Sequence, residues 1–243
     1  ASNGEYGLWL SGIFSGAFAG WDVEVLHILE KVGWWGHLAG VLGFLMYLSI
    51  SKHLHILLAF PNTYFSRQTP KGYMDNMESV TREVKLMMDP NAAVPESTEE
   101  GPVKFGAKDV TDLSWKNLLD AYTCTECGRC TAQCPANITG KKLSPRTIMM
   151  KTRDRLEEVG KNIDANGGIW KDDGKSLIDN GYISVEELRA CTTCNACVEE
   201  CPVNISPLNI ILQLRRNLIM EDSNSPAEWN GMFANLENNA APW

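Results

Sequence analysis

The chain has 243 residues, a formal net charge of −8 and eight cysteines. That acidic balance argues against nucleic acid as a partner, because binding it calls for a basic face. All eight cysteines lie between Cys124 and Cys201, which does not fit a short, cysteine-dense secreted scaffold and fits reduced thiolates in a cytoplasm-facing domain.

Charge is unevenly divided. Residues 1–60 carry six charged side chains (Glu5, Asp22, Glu24, Glu30, Lys31 and Lys52), and residues 61–243 carry the other 46. An apolar piece is joined to a polar one. The chain opens on Ala1 with no basic segment before its apolar stretch, so a signal peptide is not expected, and the sequence reads as the continuation of a longer native chain.

Residues 5–21 are apolar but carry Gly7, Gly12, Gly16 and Gly20. The glycines lower helix propensity, leaving an interfacial segment and a membrane span as equal readings. A short amphipathic helix is expected from Asp22 to Lys31. The run from Gly36 to Phe60 is the strongest membrane signal, with Lys52 its one formal charge and Pro61 as its expected stop. At 1.5 Å per residue it spans roughly 37 Å, enough to cross a bilayer. Trp34 and Trp35 stand at its start, where an aromatic belt belongs, and Lys52, Arg67, Lys71, Arg82 and Lys85 follow it. This asymmetry places everything after residue 60 in the cytoplasm, on the inner membrane. The alternative is a buried helix of a soluble protein.

Residues 73–88 set Met74, Met77, Val80, Val84 and Met88 on one helical face, read as packing on a neighbour, and Asp89 to Gly101 reads as a linker. Ser144-Pro145 is an N-cap followed by proline at the first helical position, with Gly160 as the expected end of that helix. Ser206-Pro207 repeats the device before Leu208–Glu221, and Ser184 with Glu187 forms a capping box. Strand signals are weak, and the fold class is mainly α. The expected organisation is a membrane region over 1–60 with its last helix at 36–60, an amphipathic helix and linker over 61–109, a cysteine domain over 110–222, and a tail over 223–243.

The cysteines form two runs of one spacing: Cys124-x2-Cys127-x2-Cys130-x3-Cys134-Pro135 and Cys191-x2-Cys194-x2-Cys197-x3-Cys201-Pro202. The likeness continues past the cysteines, where Cys134-Pro-Ala-Asn-Ile138 answers Cys201-Pro-Val-Asn-Ile205, an internal repeat that implies a pseudo-twofold. Three cysteines at two-residue intervals wrap one [4Fe–4S] cubane, and the fourth, before proline, reaches the other cluster. The spacing therefore assigns Cys124, Cys127, Cys130 and Cys201 to one cluster and Cys191, Cys194, Cys197 and Cys134 to a second. Gly128 and the small residues Thr125, Thr131, Asn195 and Ala196 leave room for backbone N–H groups to approach the sulfurs, which raises the reduction potential. Structural zinc pairs two CxxC units across a gap; here each run already holds four cysteines.

The 56 residues between the runs carry helical signals. With the doubled motif they make residues 110–220 resemble the alpha-helical ferredoxin domain of the C subunit of heterodisulfide reductase. Related domains belong to the iron–sulfur subunits of succinate, glycolate and anaerobic glycerol-3-phosphate dehydrogenases. The resemblance implies an electron relay and not a site of substrate chemistry.

All four histidines (His27, His37, His53 and His55) lie in the apolar part, where an ionisable residue is a functional candidate. On one continuous helix His37 and His55 are five turns apart and share a face, roughly 27 Å along the axis, with His53 about 160° away from His37. That spacing, with Ser51-Lys52-His53-Leu54-His55-Ile56, resembles the last membrane helix of the cytochrome b subunit of respiratory nitrate reductase. By that resemblance His37 and His55 each give one axial ligand to a b haem, with partner histidines from other membrane helices. The alternative is hydrogen bonding at the interface. Lys52 is read as snorkelling to headgroups.

Together these segments resemble the membrane-bound bacterial iron–sulfur oxidoreductases, Bacteroidetes members especially, in which a nitrate-reductase-gamma-like region precedes a heterodisulfide-reductase-C-like domain. Ser51–Phe65, Phe105–Ile138 and Cys191–Ile205 carry that resemblance. It implies a membrane-anchored electron-transfer subunit linking a cysteine-rich heterodisulfide reductase B-like partner to haem and quinone. The alternative is the iron–sulfur subunit of a quinone-linked flavin dehydrogenase, fed by a hydroxy acid, glycerol 3-phosphate or an electron-transfer flavoprotein. A zinc-stabilised adaptor is the reading from another class. No dinucleotide fingerprint, nucleophile triad or spare cysteine appears, so no catalytic residue is assigned.

Overall fold

The computed structural model describes residues 16–18, 20–70, 72–89, 104–178 and 181–243. Most of the apolar segment 5–21, Lys71 and the linker from residue 90 onward lie outside the described residues. Among the described residues the structure is helical, and the one β contact is an isolated bridge between Ile178 and Ile183. Two compact units divide between His53 and Leu54.

In the first unit, α1 (Val23–Ile50) starts where Asp22 caps it, its side chain accepting the Glu24 N–H at 3.2 Å. Its 28 residues fuse the expected short helix at 22–31 with the first part of the apolar run, and they are long and apolar enough to cross a membrane. Trp34 and Trp35 are exposed, edge-to-face at 4.8 Å, and sit within the helix rather than at its start.

The run 36–60 is not one helix. Ser51 turns extended, its side chain accepts the His53 N–H at 3.3 Å, and α1 ends at Ile50. A serine that offers the backbone this local bond competes with the helix ladder. A new helix, α2 (Leu54–Tyr64), begins the second unit. The register that would set His37 and His55 on one face needs an unbroken helix, and here His37 is on α1 and His55 on α2. Pro61 does not stop the run either, since α2 passes through it to Tyr64.

In the second unit, α3 (Glu78–Met88) starts five residues later than expected, and Met74, Val84 and Met88 of its apolar stripe are exposed. The strap before it is pinned to α10 (Pro207–Met220): Asn209 Nδ2 donates to Asp75 at 2.9 Å and Arg216 donates to the Asp75 carbonyl. A 3-10 turn at Val110–Asp112 leads into α4 (Trp115–Thr123), followed by α5 (Arg129–Ala132), α6 (Pro135–Ile138), α7 (Pro145–Ala165), α8 (Val185–Ala190), α9 (Ala196–Glu199) and then α10.

Three helix starts are the ones the sequence signals. Ser144 accepts the Thr147 N–H, Ser206 accepts the Asn209 N–H, and Ser184 with Glu187 closes a capping box. Gly160 is no terminator: α7 runs on to Ala165, and the left-handed pair Gly167 and Gly168 ends it, with Gly168 N–H donating to the Ile163 carbonyl. The expected tail contains α11 (Ala227–Asn239), which buries no residue.

The core lies between α4, α7 and α10, where Ile148, Met149, Val159, Ile210, Ile211 and Leu214 are buried. Each contributes roughly 1.5–3 kcal/mol through burial. Gly106 lets the chain reach α10. It has φ +83°, and a Cβ there would stand 2.4 Å from the Gln213 carbonyl oxygen.

Candidate iron–sulfur centres

Both cysteine loops are built on one backbone plan. Each first cysteine caps a helix: Cys124 follows α4 and Cys191 follows α8. Two residues on, Glu126 (φ 57°) and Thr193 (φ 56°) are left-handed. Two further on, Gly128 (φ 82°) and Asn195 (φ 61°) repeat that conformation and start α5 and α9, which carry Cys130 and Cys197. Left-handed residues two apart tighten each loop and bring its N–H groups toward the cysteine sulfurs. The repeat seen in the letters is thus a repeat in φ.

An arginine from a long helix steadies each loop. Arg153 of α7 donates to the Glu126 carboxylate at 2.5 Å. Arg215 of α10 donates to the carbonyls of Leu188 and Cys191, the latter at 2.6 Å.

The eight cysteines are free thiols that line two recesses. Cys124, Cys127, Cys130 and Cys201 line the first, together with Cys197. Cys134, Cys191, Cys194 and Cys197 line the second. The fourth cysteine of each run therefore faces the first three of the other. Among the described residues no three His, Cys, Asp or Glu side chains converge on a single-ion site; the thiols surround a volume and not a point. Cys197 lines both recesses; the short helices α5 and α9 that carry Cys130 and Cys197 pack together, and the charge of Cys130 is felt at Cys197.

Electrostatics divide the thiols by depth. Burial pushes Cys124 up to about 11 and Cys197 up to about 12, and it raises Cys130, Cys191 and Cys201. The exposed middle cysteines go the other way: the Arg129 N–H lowers Cys127 and the Ala196 N–H lowers Cys194. Thr193 N–H donates to Cys191 Sγ and Ile205 N–H to Cys201 Sγ, both at 3.4 Å. Buried thiols that resist ionisation alone, yet have N–H donors aimed at them, fit thiolates whose charge is met by bound iron. The donor set fits an iron–sulfur cluster in each recess.

The histidines are divided between the two units, His27, His37 and His53 in the first and His55 in the second. His53 lies against Phe44 and Tyr47, with ring centroids 6.4 and 6.3 Å away, and His27 meets Glu30 at 3.4 Å. His37 is exposed on α1.

Reading the motifs alone misses the buried polar groups of the second unit. Asn62, Lys116, Asp120 and Arg155 are buried and hydrogen-bonded. A signal existed for the first three: Asn62 is a polar residue directly after Pro61 in an apolar run, and Lys116 and Asp120 stand at i, i+4 on an amphipathic helix.

Comparison with known proteins agrees with this geometry. A family model described as a 4Fe-4S dicluster domain matches residues 123–205. The probable iron-sulfur-binding oxidoreductase FadF of Bacillus subtilis is 29% identical over 98% of this chain and 36% of its own length. The EtfAB:quinone oxidoreductase of Syntrophomonas wolfei is 28% identical over 95% of this chain and 32% of its own. The C subunit of the ferredoxin/F(420)H(2)-dependent CoB-CoM heterodisulfide reductase of Methanosarcina acetivorans is 32% identical over 42% of this chain and 49% of its own. The chain spans about a third of the length of the first two relatives. Through residues 123–205, which match the 4Fe-4S dicluster family model, the chain is similar to the iron–sulfur oxidoreductases and to the C subunit of heterodisulfide reductase.

Proposed function

We propose that the chain is the electron-relay part of a membrane-anchored oxidoreductase, passing electrons between a soluble redox partner on the cytoplasmic side and quinone. The observation that carries this reading is the division of eight thiols between two recesses, with the Pro-flanked cysteine of each run facing the other run's loop. In it, Cys124, Cys127, Cys130 and Cys201 hold one [4Fe–4S] cluster, and Cys191, Cys194, Cys197 and Cys134 hold the second. Bound there, the clusters supply one-electron transfer. The chain's own residues fix the distance between the sites through Cys130 and Cys197, exclude water by burying Cys134 and Cys197, and leave Cys127 and Cys194 at the surface facing a partner. The anchor in this reading is α1, supported by its length and composition.

A flavoprotein is the soluble partner we favour over a heterodisulfide reductase B-like subunit. The relatives named for iron–sulfur oxidoreductase and EtfAB:quinone oxidoreductase activity align over nearly the whole chain, whereas the heterodisulfide reductase C subunit aligns over 42% of it. Haem ligation by His37 and His55 has only the sequence resemblance behind it, since α1 ends before His55.

Electron paramagnetic resonance of the anaerobically purified full chain tests the assignment. The parent should hold about eight irons per chain. Cys201→Ser should damage the cluster of the Cys124 loop and Cys134→Ser that of the Cys191 loop. Loss of the same-run cluster in each variant refutes the crossed arrangement.

A further inference from the structure

A second buried constellation lies beside the first recess and includes none of the cysteines. Asn62, on α2, has no exposed surface, and Lys116 and Asp120 stand one turn apart on α4 with 8% and 2% exposure. Lys116 Nζ donates to Asn62 Oδ1 at 2.8 Å and to Asp120 Oδ1 at 2.5 Å. The network then reaches the segment after Cys201 at two points. Asn62 Nδ2 donates to the Val203 carbonyl at 2.8 Å, and the Ser206 N–H donates to Asp120 Oδ2 at 3.4 Å. Between these two held positions is Ile205, the residue whose N–H donates to Cys201 Sγ.

The repeat supplies an internal control. In the first run the matching amide is that of Ile138, and it donates to the Cys134 carbonyl at 2.9 Å, inside α6. Ile138 is 67% exposed, while Ile205 is 3% exposed. The difference begins one residue earlier: Asn204 is left-handed (φ 56°), whereas Asn137 is helical. Identical letters, Cys-Pro-x-Asn-Ile, therefore give an N–H to sulfur in one run and an N–H to backbone oxygen in the other. The elements that distinguish them are α2 and α4, which press Asn62 and Asp120 against the second run. An ion pair as deep as Lys116 and Asp120 is a weak source of stability, because desolvation offsets its attraction; its value here is the geometry it fixes.

We infer that Asn62, Lys116 and Asp120 are positioning residues that clamp the 203–206 turn, aim the Ile205 N–H at the Cys201 sulfur, and so raise the reduction potential of the cluster Cys201 serves. A hydrogen bond to a ligating sulfur stabilises the reduced, more negative state. The inference rests on Cys201 being a cluster ligand, and not on which three cysteines complete its set. It also gives α2 a purpose, since the first helix after α1 in the chain holds a cluster loop.

The test is a redox titration of the purified full chain, followed by electron paramagnetic resonance. The two signals are identified by which one is lost in Cys201→Ser and which in Cys134→Ser. Asn62→Leu keeps the volume and removes the donor to Val203. The expected result is an approximately tenfold less favourable reduction of the cluster lost in Cys201→Ser, about 59 mV for a one-electron couple, with the other cluster unmoved. If Asn62→Leu does not assemble, Asn62→Ser, whose hydroxyl is too short to reach Val203, serves in its place with the same expectation. An equal shift of both clusters, a shift confined to the Cys134-served cluster, or no shift overturns the clamp. Failure of the crossed arrangement would appear separately, in which loop loses its cluster in Cys201→Ser.

Discussion

Among the described residues Arg155 is the largest side chain with no exposed surface, and removing its charge gives the sharpest test of how the cysteine domain is held. Its guanidinium meets Asp109 through Nε at 3.0 Å and Nη2 at 2.6 Å, and Asp173 through Nη1 at 2.6 Å and Nη2 at 2.9 Å. Nη2 also donates to the Lys175 carbonyl at 3.0 Å, and the group lies 5.7 Å from the Trp170 ring centroid. Asp109 in turn caps the turn at Val110, whose N–H it accepts at 2.8 Å. Arg155→Met fills the volume but strands Asp109, which is 8% exposed and has little water to turn to. Removing one partner of such a pair costs about 3–5 kcal/mol. The Asp173 side chain is 20% exposed, so water recovers part of its loss. For a chain of this size the net cost lowers the midpoint by roughly 6–20 °C. Anaerobic thermal melting of the cluster-loaded chain by circular dichroism measures it. Arg155→Lys should fall between the two, because an ammonium has three donors where the guanidinium uses its whole fork. Adding Asp109→Leu to Arg155→Met should restore part of the loss by removing the stranded charge. A midpoint within about 3 °C of the parent for Arg155→Met would refute the reasoning, because no buried charge would then depend on the arginine.

Two further outcomes follow from the same packing. The Arg155 fork holds the Asp173 carboxyl down to about 2, and Lys175 with Tyr182 does the same for Glu158. Both are lowered in the folded chain, so their contribution is full above the ordinary carboxylate range and is lost as pH falls toward about 2. Urea midpoints should decline over that window, less steeply in Asp173→Asn, and parallel declines would contradict the assignment. Gly106→Ala drives a Cβ to 2.4 Å from the Gln213 oxygen at a positive φ, costing about 2–5 kcal/mol. Gly160→Ala meets nothing within 4 Å inside α7 and should stabilise by about 0.5–1 kcal/mol. Urea midpoints moving in the same direction for both glycines would show that backbone approach at Gly106 is not what matters.

What the letters disclosed was set by local chemistry. Cysteine spacing, the two Ser-Pro starts and the Ser184–Glu187 box are each complete within a few residues, so each could be read before any fold was known. The break at Ser51 could not, because the apolar composition is the same on both sides, and one serine side chain bonded to the His53 amide decides it. Gly160 misled for the opposite reason: a helix tolerates a glycine when its true end lies about two turns later, at Gly167 and Gly168. Asn62, Lys116 and Asp120 gain their meaning from Val203 and Ser206, which are at least 86 residues away, and no local pattern carries that.

The two recesses arose from one repeated plan, yet the halves differ where the plan meets the rest of the chain. Cys124 and Cys191, Glu126 and Thr193, Gly128 and Asn195 correspond in position and in backbone conformation. After the proline the halves part. The first run closes into α6 and needs Thr139 to Leu143 before its long helix begins, while the second turns left-handed at Asn204 and enters α10 almost at once. The shorter return brings Val203 and Ser206 within reach of α2 and α4; the longer one leaves Ile138 exposed. Two recesses lined by the same residue type thus receive different hydrogen bonds at the Pro-flanked cysteine. In the proposed relay that difference sets the potentials of the two clusters apart. In this chain the inequality is written in five residues after Cys134 and in one asparagine of α2.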